Sequence, residues 1–166
     1  CRSTVRPKQQ NRRNPKRRTD ARTLQALSPR KFFRVTAGPQ AEWFPEPAQR
    51  ALYENTYRIA ESSNRMGLRL EGAAVLSAPA REMITEGVSL GAVQVPPGGQ
   101  PIILFVEQQT TGGYPKIANV IAADLHALGQ LRPRDEIRFE RVEFDTAQCL
   151  LREQENLIQS EKAITE

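Results

Sequence analysis

Histidine is almost absent from this sequence and cysteine is scarce: His126 is the one histidine, and Cys1 and Cys149 lie at opposite ends. A Ser-His-Asp or Cys-His device would therefore have to be built around His126. Its neighbours Asp124 and Leu125 put that residue on a polar helical turn, where an exposed surface histidine is expected. Two cysteines so far apart suggest neither a disulfide framework nor a metal cluster, and they point to a reducing, cytoplasmic setting. The sequence holds no HExxH, no CxxC pair and no phosphate-binding GxxxxGK. No spacing of carboxylates favours a metal site, so no metal is expected. Long apolar runs are missing too. The longest, Ile102 to Val106, has strand length, far short of the roughly 20 residues a membrane-crossing helix needs. No apolar block follows the basic start, so it does not read as a secretory signal. Opening on Cys1 rather than Met, the sequence is expected to be a fragment or a trimmed chain.

What is present is a protein of 166 residues, 39% hydrophobic and 26% charged, enough for one ordinary domain with a core. Its net charge of +5 hides an asymmetry. Between Cys1 and Arg34 stand 12 basic residues and one acid, Asp20, whereas the remainder carries 12 basic and 18 acidic residues. The body is acidic and the first segment alone makes the chain basic. Residues 1–30, with Arg12-Arg13-Asn14-Pro15-Lys16-Arg17-Arg18, have too few apolar side chains to offset their backbone entropy, and are expected to be a disordered tail or interdomain linker. Nucleic acid would be engaged only through this tail, which lacks aromatics to stack on bases.

Residues 31–144 are expected to form the folded unit. Phe32 to Val35 is a strand ending at Ala37-Gly38-Pro39, and Pro45 and Pro47 suit the first turn of a helix from Glu46 to about Asn55. Thr56–Ala60 and Gly67–Gly72 alternate apolar with polar, as half-buried strands do. Gly91–Val95, the turn Pro96-Pro97-Gly98-Gly99, and Pro101–Val106 form a strand pair. Ile117–Ile121 is a strand or short helix, Asp124–Leu128 a helical turn that Asp124 caps or charges, and Asp135–Val142 the strand that closes the sheet. Short strands so punctuated predict a mainly β fold with short helices, a compact β-barrel. Residues 145–166 are expected to be a C-terminal helix from Thr146 to about Ile164. Leu150, Leu157 and Ile164 share a stripe flanked by Leu151 and Ile158, for packing on the barrel or on a partner.

Three loops carry the candidate chemistry. Ser62-Ser63-Asn64-Arg65-Met66-Gly67 offers hydroxyls, an amide and a guanidinium to an anionic or amide-bearing ligand, or is a polar turn with Arg65 in a structural ion pair. Gln94-Val95-Pro96-Pro97-Gly98-Gly99-Gln100 on its own is a β-turn. In Gln108-Gln109-Thr110-Thr111-Gly112-Gly113-Tyr114-Pro115-Lys116 the glycines let the backbone approach a ligand while Gln, Thr, Tyr and Lys supply donors.

In order, Asn64 to Gly72, Glu86-Gly87-Val88, Gly91 to Ile102 and Gln109 to Ile117 resemble the biotin-dependent carboxyltransferase-like family. That family includes the C-type subunit of 5-oxoprolinase, the second subunit of allophanate hydrolase, the carboxyltransferase domain of urea carboxylase and KipA-like regulators. Gly38-Pro39-Gln40, Trp43-Phe44 and Leu131-Arg132-Pro133 fit the same pattern, and the resemblance covers about residues 32–160. It implies a cyclophilin-like β-barrel and the C-terminal half of the family's longer chain. The N-terminal half, with a Gln-Asp-Leu-Gly-Arg-Pro-Gly-like segment, has no match in residues 1–30. It also implies ATP-dependent opening of the amide ring of 5-oxoproline to glutamate, a hydrolase reaction carried out with A-type and B-type partner subunits or with the missing half. The alternatives are carboxyl transfer from carboxybiotin to urea, with biotin as cofactor, or a non-catalytic KipA-type module. Either small amide needs donors aimed at a developing oxyanion and a group that moves a proton. The candidates are Lys116, Tyr114 and Arg65 as donors and charge stabilisers, with Asn64, Gln94, Gln100, Gln109, Thr110, Thr111, Gly112 and Gly113 binding substrate.

Overall fold

The structure, a computed structural model, describes residues 18–78, 83–159 and 164–165. Eleven strands are found among them: β1 (Arg18–Thr19), β2 (Phe32–Ala37), β3 (Tyr57–Ile59), β4 (Gly67–Glu71), β5 (Glu86–Gly87), β6 (Ala92–Gln94), β7 (Ile102–Leu104), β8 (Thr111–Gly112), β9 (Lys116–Val120), β10 (Glu136–Arg141) and β11 (Ile164–Thr165). The α-helices are α1 (Ala21–Ala26), α2 (Glu46–Glu54), α3 (Leu125–Leu128) and α4 (Phe144–Gln159), and 3₁₀ turns cover Ala41–Trp43 and Ala122–Asp124.

Seven strands close into a barrel in the order β10-β2-β9-β6-β7-β4-β3. Its β10–β2 pair is parallel, Phe139 facing Phe33, and the other pairs are antiparallel. The mainly β architecture with short helices and a C-terminal helix is the one the sequence predicts, and Ile117–Val120 resolves as strand. Alternation decides what fills the barrel. Phe33 and Val35, Leu68 and Leu70, Val93, Ile103, and Ile137 and Phe139 form one buried cluster, each such side chain contributing about 1.5–3 kcal/mol. α2 adds Ala48 and Leu52, and α3 adds Ala127 and Leu128. The Tyr57 ring lies 6.0 Å from that of Phe139, and its hydroxyl donates to the Ala51 carbonyl at 3.1 Å. Burial pushes the Tyr57 phenol up to about 12.

Local chemistry sets the ends of the elements. Pro47 sits in the first turn of α2, where its missing N–H costs nothing. Gln49 Nε2 ties that turn to the Phe44 carbonyl at 2.8 Å. The turn Pro96–Gly99 relies on Gly99, whose φ of 76° suits a residue without Cβ.

Three expectations need correction. The segment expected as tail or linker up to residue 30 holds β1 and α1, because Asp20 caps the helix by accepting from Arg22 N at 2.8 Å and Thr23 N at 3.1 Å. Residues 1–17, which include most of the basic run, lie outside the described residues. Asp124 makes no side-chain cap to α3: its carboxylate is turned to arginines instead. Ile164 leaves the helical stripe, since α4 stops at Gln159 and β11 pairs Ile164 with Thr19. Leu150 and Leu157 of the stripe lie with Gln154 beside Ala26 and Ala123 of their own chain, whereas the flanking Ile158 is 49% exposed. Among the described residues no helix is long and apolar enough to cross a membrane.

Candidate functional site

Residues that alternate with the barrel core face outward. Leu68, Ile103 and Val93 pair across β4, β7 and β6 into the core, so the neighbouring row Arg69, Ile102 and Gln94 emerges on the outer face. With Gly67 and Leu104, one step of the pleat further, this row floors an open cleft of about 160 Å³. Asn64 and Met66 form one wall, and Gln109 and Tyr114 another. The antiparallel ribbon β5–β8 stands beside it, with Glu86 facing Gly112 and Gly87 facing Thr111.

Gln94 sits where three segments converge. It is 2% exposed, and its Nε2 has no hydrogen-bond partner. A buried unsatisfied amide costs about 1–3 kcal/mol, so a group aimed into the cleft in this state is held ready for an acceptor. Gly112 makes the arrangement possible: a Cβ there would lie 2.4 Å from Gln94 Nε2 and 3.2 Å from Gln109 Nε2. The register between β6 and β9 shifts at this point, Val93 facing Ala118 but Gln94 facing Lys116. That irregularity brings Lys116 opposite Gln94.

Lys116 is buried with a side chain only 4% exposed, and its ammonium donates to Glu86 Oε1. Gln40 Nε2 donates to the same oxygen at 2.6 Å, while Gln40 Oε1 accepts from Lys116 N at 3.1 Å. The bonds from Lys116 first, and then from Gln40, hold the Glu86 carboxyl below the usual carboxylate range. The network spans Gln40 after β2, Glu86 in β5 and Lys116 in β9. Gly38 permits the tight turn before Gln40, since a Cβ would strike the Lys116 carbonyl oxygen at 2.3 Å.

The structure gathers Asn64, Gln94, Gln109 and Tyr114 at the cleft and sets Lys116 directly across from Gln94. The Asn64 side-chain Oδ1 is taken up by its own turn, accepting from Met66 N at 2.9 Å. Thr111 and Gly112 lie in β8, and Thr110 gives its carbonyl to Val88 N at 3.1 Å. Gly113 follows, 3.7 Å being the nearest approach a Cβ there would make, to Thr85 Oγ1. Arg65 and Gln100 are not among the residues lining the cleft. Arg65 pairs with Glu107 at 3.0 Å on the surface, which is the structural ion pair of its alternative reading. Gln100 reaches the Gly72 carbonyl at 3.4 Å, in an adjoining depression that Arg69 and Ile102 also line. Sequence reasoning gave no role to Glu86, Gln40 and Arg69, although Gly38-Pro39-Gln40 and Glu86-Gly87-Val88 stood out as motifs. The signal was there, but their convergence needs the barrel's closure.

A second polar cluster lies apart from the cleft. Asp124 is 0% exposed and accepts from Arg30 Nη1 at 2.7 Å, Arg34 N at 2.9 Å and Arg34 Nε at 3.0 Å. His126, expected on the surface, is half-buried under α4, with Nδ1 3.3 Å from Gln154 Nε2. Its Nε2 is buried without a partner, and burial first, then the Arg30 charge, lower its pKa. Among the described residues no three His, Cys, Asp or Glu side chains come together as metal ligands do.

Comparison with known proteins supports the fold and identifies a family. The family described as carboxyltransferase domain, subdomain A and B, matches residues 3–141, so the match starts well ahead of residue 32 and takes in the basic segment. The chain is similar to the C-type subunit of 5-oxoprolinase from Haemophilus influenzae, 44% identical over 123 residues, which are 73% of this chain and 40% of that protein. It is 38% identical to the Escherichia coli protein of the same name over 69% of this chain and 37% of that one. It therefore spans about two fifths of the length of these relatives. Among solved structures it is similar to urea carboxylase of Kluyveromyces lactis, with a TM-score of 0.71 at 26% identity, covering 81% of this chain and 14% of that one. With the match covering most of its length, the chain belongs to the carboxyltransferase domain, subdomain A and B, family.

Proposed function

We infer that this chain forms part of the C-type subunit of an ATP-dependent 5-oxoprolinase, acting on the amide ring of 5-oxoproline with partner subunits of the A and B types. The observation that carries the reading is the buried, unpartnered Gln94 amide at the floor of the cleft, which suits the carbonyl of a small amide. The 44% identity to a 5-oxoprolinase component supports the choice of substrate. In this reading Gln94 and Tyr114 donate to the substrate carbonyl, where charge develops as the ring amide is attacked. Lys116, held by Glu86, supplies positive charge at the far side of Gln94. Asn64 and Gln109 orient the ring, and Thr110 to Gly113, the segment that contains β8, shapes the cleft's edge. ATP belongs to the assembled complex; this sequence has no phosphate-binding GxxxxGK, and no step through the nucleotide is assigned to it.

The similarity to a urea carboxylase favours a second reading, in which the same donors hold urea while a carboxyl group arrives from carboxybiotin. The deciding experiment is ATP-dependent conversion of 5-oxoproline to glutamate by this chain with the A-type and B-type subunits, beside a full-length C-type subunit. Turnover that is lost in Lys116→Ala supports the first reading. Full-length activity with none from this chain counts against a self-sufficient C-terminal piece. Urea carboxylation in its place supports the second reading, and binding without turnover in any mixture supports a KipA-type module.

A further inference from the structure

Arg69 brings a guanidinium to the cleft floor. Arg69, Ile102 and Gln94 occupy one register row across β4, β7 and β6, and directly opposed side chains emerge on the same face. With strands about 4.8 Å apart, the Arg69 and Gln94 backbones are on the order of 10 Å from each other. Both residues line the cleft; Gln94 Nε2 is buried without a hydrogen-bond partner, while Arg69 is exposed and donates to Ser63 Oγ at 3.0 Å through its backbone N, not its guanidinium. Carboxylates that could neutralise Arg69 are engaged elsewhere. Glu71 holds Arg58 at 2.7 Å, Glu107 holds Arg65 at 3.0 Å and Glu61 holds Arg134 at 2.8 Å. Glu86 is occupied by Lys116 and Gln40. A guanidinium offers a planar fork of donors that matches a carboxylate, whereas a primary amide N–H suits a carbonyl. Ile102 between them provides an apolar strip against which a saturated ring can lie.

Resting on the reading of the cleft as a small-amide site, we propose that Arg69 determines its specificity. Arg69 holds the carboxylate of a cyclic amide whose carbonyl accepts from Gln94 across Ile102, so the cleft selects carboxylate-bearing lactams over uncharged amides. Urea, with no carboxylate, gains nothing from Arg69.

The test compares 5-oxoproline with 2-pyrrolidinone, the same ring without its carboxylate, by NMR titration of this chain and of Arg69→Ala, Arg69→Lys and Gln94→Leu. Unchanged amide spectra of the free variants report that they fold. The wild type is expected to prefer 5-oxoproline by ~10-fold or more, the scale of a charge-assisted contact. Arg69→Ala should bind the two ligands alike, Arg69→Lys should keep part of the preference, and Gln94→Leu should weaken both ligands equally. Full preference retained by Arg69→Ala overturns the role of Arg69 and leaves the small-amide reading standing, because both lactams still bind. A wild type that binds neither lactam overturns both.

Discussion

Lys116 and Glu86 meet at the edge of the cleft, a buried ammonium from β9 donating to a carboxylate of β5. The pair, bridged by Gln40, ties the β5–β8 ribbon to the barrel.

The first prediction follows from that pairing. The Glu86 carboxyl titrates below its ordinary 4.5 because of the bonds from Lys116 and Gln40. A carboxylate whose folded pKa is depressed contributes stability in full above its unfolded value, and the contribution is lost as pH falls through the folded pKa. In Lys116→Met the Glu86 titration, followed by carboxyl carbon shifts, should move up toward 4.5, and the ribbon should lose its docking at a higher pH. An unchanged titration would mean that Lys116 does not hold the carboxylate.

His126 behaves in the same direction for the opposite reason. Burial, then Arg30, hold its folded pKa below the ordinary 6.5, so the unfolded chain takes up the proton first. Its contribution is complete above about 6.5 and declines as pH falls from there through the lower folded value. The thermal midpoint should therefore fall between neutral and mildly acid pH, with part of the slope absent in His126→Gln. Equal slopes in the two proteins would count against this.

The buried carboxylate of Asp124 answers two arginines. Asp124→Asn leaves those arginines without their counter-charge, and a loss of about 3 kcal/mol is expected, at the low end for broken buried pairs because the arginines keep some contact with water. The surface pair Arg58–Glu71 is the control: Glu71→Gln should change stability by less than about 1 kcal/mol. Chemical denaturation of both variants measures the contrast.

The neighbouring glycines at the cleft should respond differently. A Cβ at Gly112 would press on Gln94 Nε2, while at Gly113 it would meet nothing closer than 3.7 Å. Gly112→Ala should displace Gln94 and weaken lactam binding by ~10-fold or more, roughly one charge-free hydrogen bond plus repacking. Gly113→Ala should leave binding within about twofold. Parallel titrations decide, and equal effects would mean that Gln94 does not read the ligand.

Periodicity and turn chemistry carried most of the barrel. The alternation of Gly67–Glu71, the Pro96–Gly99 turn and the Pro47 start of α2 are local signals, and each appears where the sequence predicts it. What escaped was set by partners distant in the chain. Asp124 reads as a cap until Arg30 and Arg34 are brought to it, and Ile164 continues a heptad until Thr19 claims it for a ribbon. The loops pointed to Gln94, Gln109 and Tyr114, which line the cleft. They could not separate Arg65, turned to Glu107, from Arg69, which lines the cleft, because Arg65 lies in the turn before β4, where the pleat does not set its direction, and Arg69 lies in the strand.

β10 lies between β2 and β3, running parallel to the first. It enters the barrel roughly a hundred residues after β2. During synthesis, a nascent chain that has not yet delivered Glu136–Arg141 leaves the edges of β2 and β3 unpaired, open to the wrong neighbours. Folding is then governed by a long-range closure and should be slow for a chain of this size. Charged positions along β10, Glu136, Arg138, Glu140 and Arg141 among them, guard that late-arriving strand against association while it waits.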